Sequence, residues 1–432
     1  MKTKKISVSF DRKLNKKLRL LFKFCNQFKI EYFILFYLIQ TSSHAQMGNE
    51  AQPKLSNQAK VSILTCGPGP QLYEAFGHSA IRVSDPLQSL DLVFNYGMFD
   101  FNQKNFYGNF AKGSMKYMLG LSSFDDFMFQ YRHYKRSVRE QVLNLDSLER
   151  QAVVNYLSTN LKPENKEYLY DYFYNNCSTK IIDLIDSALN RNIKWELAQP
   201  EGKVSYRQLI YQYTVFQPWG RLGIDLGLGS PIDKPMTGKQ LQFLPDGVEQ
   251  DLNRAKIVRG LIEFPIVSSS AVLYQAPVFY AADSFFTSPA FIFSIIFLIS
   301  LFLSFKRLNY SGLLKIWKSI LFLLAGLLGW VELIIWLFTN HKTAAWNYNL
   351  LWANPLFLFL GLGYLFIKSN SNGFQTILFY YLSAVLAIWF LLPQVLNVNL
   401  LPFVAALWIC QFPFSGFQNQ TIEQGKTTPL KV

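Results

Sequence analysis

Cys177 and His78 are the residues of this chain best suited to covalent chemistry. Cys177 stands in Asn175-Asn176-Cys177-Ser178, and His78 in Gly77-His78-Ser79. A thiol turned into a thiolate by a neighbouring imidazole is an activated nucleophile for acyl transfer. If the sulfur also sits at a helix N-terminus, the local partial positive charge lowers its pKa, and free backbone N–H groups can hold an oxyanion. Each residue has a plainer reading beside this one. A lone cysteine is often a small core residue, and a lone histidine is often a hydrogen-bonded structural group. His133, in Tyr131-Arg132-His133-Tyr134, is the rival base. Cys66, between a strand and a tight turn, reads as structural. No His, Cys, Asp or Glu cluster has the spacing of metal ligands, so neither metal nor cofactor is expected.

A second group lies far along the chain. Glu332 interrupts the apolar run Ser319–Phe338, and His341-Lys342-Thr343 and Trp346-Asn347-Tyr348-Asn349-Leu350-Leu351-Trp352 follow. A charged side chain inside a spanning helix costs roughly 3 kcal/mol on insertion scales, so Glu332 calls for a partner or a wet cavity. Two readings stay open for it: a contact with a tyrosine or asparagine of a neighbouring helix, or a part in a substrate site. Trp346, Tyr348 and Trp352 suit an interfacial aromatic belt. Asn347 and Asn349, so near hydrocarbon, need hydrogen-bond partners. Together Glu332, His341, Asn347 and Asn349 form a candidate substrate-binding floor at the membrane surface.

The elements that must position Cys177 and His78 are legible. Lys60–Thr65 reads as a strand ended by Cys66-Gly67-Pro68-Gly69-Pro70. His78–Val83 alternates as a strand, Pro86–Ser89 as a turn, and Leu92–Tyr96 as the returning strand. With the hairpin turning near residues 87–88, Asn95 lies across from Ala80, on the side of His78, and is the candidate to orient the ring. Asp146 with Glu149 forms a capping box for a helix to about Asn160. Tyr168, Tyr170, Tyr172 and Tyr174 fall on alternate positions, as on one strand face. Ser178–Leu189 places Ile181, Ile182, Leu184, Ile185, Ala188 and Leu189 on one helical face.

Half of the 432 residues are hydrophobic, unevenly placed. Five apolar runs end the chain: Phe285–Phe305, Ser319–Phe338, Leu350–Ile367, Phe374–Pro393 and Leu400–Phe417. The net charge of +14 does not mark a nucleic-acid surface, because residues 1–31 alone contribute +8 of it. That basic stretch precedes the short apolar run 32–39 and then Ser43-His44-Ala45, an export signal, with an uncleaved anchor as the alternative. Lys306, Arg307, Lys315, Lys318, Lys368, Lys426 and Lys431 place the first and third connections and the tail in the cytoplasm. Lys342 alone marks the second connection. The exported domain and the His341 loop are therefore expected on one side of the membrane. The expected division is a signal at 1–45, a catalytic domain at 46–190, a connecting subdomain at 191–284, a helical membrane domain at 285–417 and a tail at 418–432.

Gly77-His78-Ser79-Ala80-Ile81-Arg82, Asn95-Tyr96-Gly97-Met98-Phe99-Asp100 and Tyr174-Asn175-Asn176-Cys177-Ser178-Thr179 resemble the periplasmic domain of the Lnb-type lipoprotein N-acyltransferases. His341 and Asn347-Tyr348-Asn349-Leu350-Leu351-Trp352-Ala353-Asn354-Pro355-Leu356 resemble that family's C-terminal domain. The likeness runs from about residue 60 to 400. Histidine before cysteine also resembles circularly permuted papain-like folds such as the lecithin–retinol acyltransferase group. The resemblance implies an α+β permuted papain-like exported domain followed by an all-α membrane domain of about five transmembrane helices, in a bacterial inner membrane. It implies a phospholipid acyl donor, a Cys177 thioester and a diacylated lipoprotein as acceptor. The alternatives are a papain-like phospholipase, a membrane-anchored cell-wall amidopeptidase, or a non-enzymatic membrane scaffold.

Overall fold

A computed structural model describes residues 54–99, 104–277, 285–307, 309–366 and 372–413. The expected signal, the connection holding Lys368 and the C-terminal tail lie outside the described residues.

The N-terminal part is built on a seven-stranded antiparallel sheet. Its strands are β1 (Lys60–Cys66), β2 (His78–Asp85), β3 (Leu90–Met98), β4 (Lys116–Ser123), β5 (Val138–Leu143), β6 (Glu167–Leu169) and β10 (Val267–Tyr274), in the order β10-β5-β1-β2-β3-β4-β6. The β2–β3 hairpin turns at Pro86–Gln88, with Asp85 accepting from the Leu87 N–H. Its register pairs Ile81 with Phe94, so Asn95 falls opposite Ala80 as the turn chemistry expects.

Two groups of helices cover the sheet. Helices α3 (Ser147–Leu161) and α4 (Cys177–Ala188) pack Val153, Val154, Leu157, Ile181, Ile182 and Ile185 against Val61, Ile63, Ile81 and Phe94. Helix α2 (Phe124–His133) packs Phe127, Met128 and Tyr131 against Leu64, Cys66, Ala80 and Val93. The Asp146–Glu149 capping box opens α3. A short helix, α1 (Phe106–Lys112), lies between β3 and β4.

The tyrosine strand is shorter than its alternation predicts, for β6 ends at Leu169. Asp171 Oδ1 accepts from the Phe173 and Tyr174 N–H groups at 2.8 and 3.0 Å and folds the chain into a turn. A carboxylate that captures local N–H groups competes with a ladder. Tyr172 then packs on Phe76, with ring centroids 5.1 Å apart, while Tyr174 is exposed.

Residues 191–277 are not a separate connector. They form α5 (Tyr206–Tyr213), α6 (Pro218–Gly227), α7 (Pro245–Leu252) and a small sheet of β7 (Ile193–Lys194), β8 (Lys256–Arg259) and β9 (Ile262–Pro265). They then return β10 to the main sheet beside β5. Ser268, Ser269 and Ser270 make β10 a polar, exposed edge, and polar edges carry little hydrophobic periodicity to read.

The C-terminal region is helical: α8 (Pro289–Phe305), α9 (Ser311–Phe338), α10 (Phe357–Phe366), α11 (Asn372–Ala387) and α12 (Leu401–Ile409). Among the described residues one helix, α9, is long and apolar enough to cross a membrane. Its 28 residues span about 42 Å at 1.5 Å per residue. It starts before Ser319, so Lys315 and Lys318 are helical rather than in a connection. Lys318 is buried over the Tyr364 ring, 5.9 Å from its centroid. The third apolar run is helical only from Phe357, because residues 348–351 form a 3-10 turn. Gly329 of α9 lies against the Ala353 carbonyl, where any side chain would collide with backbone.

Candidate active site

The Cys177 sulfur and the His78 ring, far apart in sequence, meet at one end of the sheet. His78 opens β2 opposite Cys66, and Cys177 is the first residue of α4. The helix starts there because Asn176 caps it. Asn176 Oδ1 accepts from the Ser178 and Thr179 N–H groups at 2.9 and 3.0 Å. Its Nδ2 donates to the Tyr172 and Phe243 carbonyls, both at 2.7 Å. This buried amide thus fixes where the helix begins and where the sulfur points. The hydroxyls of Ser79 and Ser178, buried 3.2 Å apart, join α4 to β2.

Burial alone would raise the Cys177 pKa. The His78 charge and hydrogen bond, the Ser79 backbone N–H and the Ser178 hydroxyl outweigh burial and hold the thiol below its ordinary value. His78 Nε2 lies 3.3 Å from Asn95 Oδ1. An amide oxygen only accepts, so this contact is a hydrogen bond when Nε2 carries the proton. Asn95 is itself buried. Just after it, the β3–β4 register shifts, and Gly97, at φ +93°, packs against Cys177. A bulge re-aims backbone, and here it lets the strand pass close to the sulfur without a side chain.

Cys66 is the contrasting thiol. Burial pushes it up to about 12, against the hydrogen bond with Tyr131 and the nearby Arg136. Cys66, Cys177 and Cys410 are all free. His133 is exposed near the end of α2, stacked on Phe129, and shares no bond with Cys177.

The other expected site residues lie elsewhere, where the sheet domain joins the C-terminal helices. Asn347 donates to the Leu226 carbonyl at 2.6 Å, and Asn349 to the Asp225 carbonyl at 2.8 Å. Both side chains are buried, and their amides are occupied by this joint. His341 packs on α1, with Nε2 3.3 Å from the Phe110 carbonyl, and the Asn340 N–H donates to the Lys112 carbonyl. The His341 loop thus packs directly on the sheet domain. Glu332 is buried in α9, and both its carboxylate oxygens lack a protein partner among the described residues. None of these four shares a hydrogen bond with Cys177, His78 or Asn95 among the described residues.

The centre of the joint is Arg207, which carried no signal in the sequence beyond being one cation among many. It is buried and donates to Asp225 Oδ1 at 2.5 Å, Asp233 Oδ1 at 2.8 Å and the Leu228 carbonyl at 3.0 Å. Asp225 also accepts from Tyr211 and from Asn397 of the membrane part. Helix α5 links this ion pair to the site, since Tyr206 packs on Phe243, whose carbonyl holds Asn176.

A thiol paired with an imidazole, in a sheet domain packed on apolar helices, is the arrangement to set beside known proteins. Residues 51–212 match the Lnb N-terminal periplasmic domain, and residues 281–416 match the Lnb transmembrane domain. With both domains present in that order, the chain belongs to the Lnb family: a periplasmic domain followed by a transmembrane domain. No curated protein and no solved structure matches the chain.

Proposed function

We propose that this protein moves a fatty acyl chain from a phospholipid to the N-terminal amine of a diacylglyceryl-cysteine lipoprotein, through a thioester on Cys177. The observation that carries this reading is a thiol held below its ordinary pKa by His78 in a domain fastened to membrane helices. The Cys177 thiolate attacks the ester carbonyl and forms a tetrahedral oxyanion. Ser178 and Thr179 give their N–H groups to Asn176, which leaves the Cys177 amide at the helix mouth to receive the oxyanion. Collapse breaks the acyl–oxygen bond, and protonated His78 gives its proton to the leaving alcohol, releasing a lysophospholipid. The acceptor amine then attacks the thioester, His78 takes its proton, and the thiol returns as the amide forms. Asn95 holds the ring throughout. The permuted papain-like reading fits a histidine on a strand before a cysteine on a helix. Family membership, the periplasmic domain and the paired site support amine transfer over a scaffold role.

The test is mass spectrometry of lipoprotein N-termini from cells with and without the gene. Loss of the N-linked acyl chain on deletion, restored by the parent and not by Cys177→Ala, supports the proposal. Unchanged N-acylation in a cell without a second such enzyme refutes it.

A further inference from the structure

We propose that the turn Leu72–Glu74 and the segment 215–219, which leads into α6, form a lip that dips into the periplasmic-side lipid surface beside the Cys177–His78 site. Tyr73 is 78% exposed and Phe216 50%, and Leu72, Val215 and Trp219 are exposed with them. Exposed aromatic and aliphatic side chains gathered at one place mark an interaction surface. The two segments are one surface: Gln217 Nε2 donates to the Pro70 carbonyl at 3.1 Å, and Leu72 lies against Gly220.

Three observations assign lipid as the occupant. First, the lip is continuous with the membrane helices. Trp219 Nε1 donates to the Thr287 carbonyl at 2.7 Å, two residues before α8, and its ring meets Phe293 of α8 with centroids 6.1 Å apart. Leu222, one turn on, is buried in the core of the helical region. Phe285 and Phe286, at the head of α8, are exposed at the same end. A tryptophan with a satisfied N–H and an apolar ring is the side chain that prefers this depth. Second, the lip carries no exposed charge. Residues 70–73 and 215–220 contain none, and Glu74 is turned inward to Arg136 at 3.3 Å, both side chains largely buried. Third, the lip leads straight to the catalytic histidine. Ala75 and Phe76 are buried, Phe76 against Tyr172, and Gly77-His78 follow. Tyr73 and Leu72 thus stand five and six residues before His78 in the chain.

The lip itself does not depend on acyl transfer; only its role in presenting the donor rests on that reading. The test therefore has two arms. A fluorophore is placed at Tyr73→Cys, Phe216→Cys or Leu148→Cys, in a Cys25→Ser, Cys177→Ser background, in nanodiscs of phosphatidylethanolamine and phosphatidylglycerol. Leu148 is also an exposed apolar residue, but it opens α3 near the far end of the sheet. Bromine-labelled acyl chains are expected to quench positions 73 and 216 and to leave 148 bright. Absence of quenching at 73 and 216, as when a protein partner or a second copy covers the lip, overturns the proposal. In the second arm, Tyr73→Glu with Phe216→Glu lowers the ratio of Cys177 acylation by bilayer phospholipid to acylation by a soluble short-chain ester at least tenfold. An unchanged ratio contradicts the donor-presenting role. If the acyl-transfer reading is itself mistaken, the parent protein acylates with neither donor while the quenching still reports the lip.

Discussion

The joint around Arg207 and the site around Cys177 handle buried polarity in opposite ways. At the joint every strong group is paired. Arg207 is divided among Asp225, Asp233 and a carbonyl, and Asp225 among Arg207, Tyr211 and Asn397. At the site the cap and the reactive pair are held, but hydroxyls around them are left over. Asn176 spends its amide on three backbone segments, while the Tyr172 hydroxyl near Cys177 has no protein partner among the described residues. A fully paired network holds one geometry; the proposed chemistry at Cys177 needs supports that stay fixed while the sulfur changes partners. The two cysteines repeat the contrast on a smaller scale. Cys66 is buried with its thiol pushed up to about 12, and Cys177 is held down by His78.

The comparison breaks first at Cys177. Cys177→Ala is expected to abolish acyl transfer completely while leaving thermal unfolding of the purified protein close to the parent's; residual transfer above a thousandth of the parental rate would move the nucleophile elsewhere. His78→Ala is expected to slow transfer by about 10²–10⁴, the usual worth of a positioned acid–base group. It also separates the two thiols by pH. In the parent, iodoacetamide modifies Cys177 with a midpoint below the ordinary cysteine value, the rate falling as pH drops through it. Without the imidazole only the Ser79 N–H and the Ser178 hydroxyl still oppose burial, so the midpoint moves to higher pH. A midpoint that stays put would mean that His78 does not set the thiol.

Asp225→Ala strikes the joint. It leaves the Arg207 charge buried without its closest partner, a change that costs about 3–5 kcal/mol, read as a lower midpoint of thermal unfolding in micelles. The same variant should keep the parental pH midpoint for Cys177 alkylation, because no joint residue bonds to sulfur or ring. Asn176→Ala is smaller in stability, about 1 kcal/mol for a lost cap, but it shifts alkylation kinetics, because the cap sets the helix start. Glu332→Leu is the smallest. Removing a buried carboxyl with no protein partner among the described residues is expected to raise stability by roughly 1 kcal/mol, and a clear loss of stability would reveal a partner for it.

The strands and helix that carry the site are legible because their signals are local. Alternation at His78–Val83, a turn at Pro86–Ser89 and a capped helix after Asn176 each follow from neighbouring residues. The β2–β3 register, and with it the approach of Asn95 to His78, follows from the turn. What the sequence hides is long-range. Arg207 meets Asp225, 18 residues on, and Asn397, 172 residues from Asp225, closes the same network. No spacing rule brings those together. Asn347 and Asn349 do find partners, as amides near hydrocarbon must, but the partners are backbone carbonyls of α6. β10 escapes notice because a serine-rich edge strand lacks the period that burial imposes, and the tyrosine strand is overcalled because Asp171 bends it.

The central claim is that Cys177 is the atom on which the acyl chain travels. Intact-protein mass spectrometry after incubation with phospholipid, without acceptor, tests it most directly. The account predicts one added acyl chain per protein, mapped to Cys177, removed by neutral hydroxylamine and missing in Cys177→Ser. An adduct on another residue, or none while lipoprotein N-acylation still depends on this protein, would contradict it.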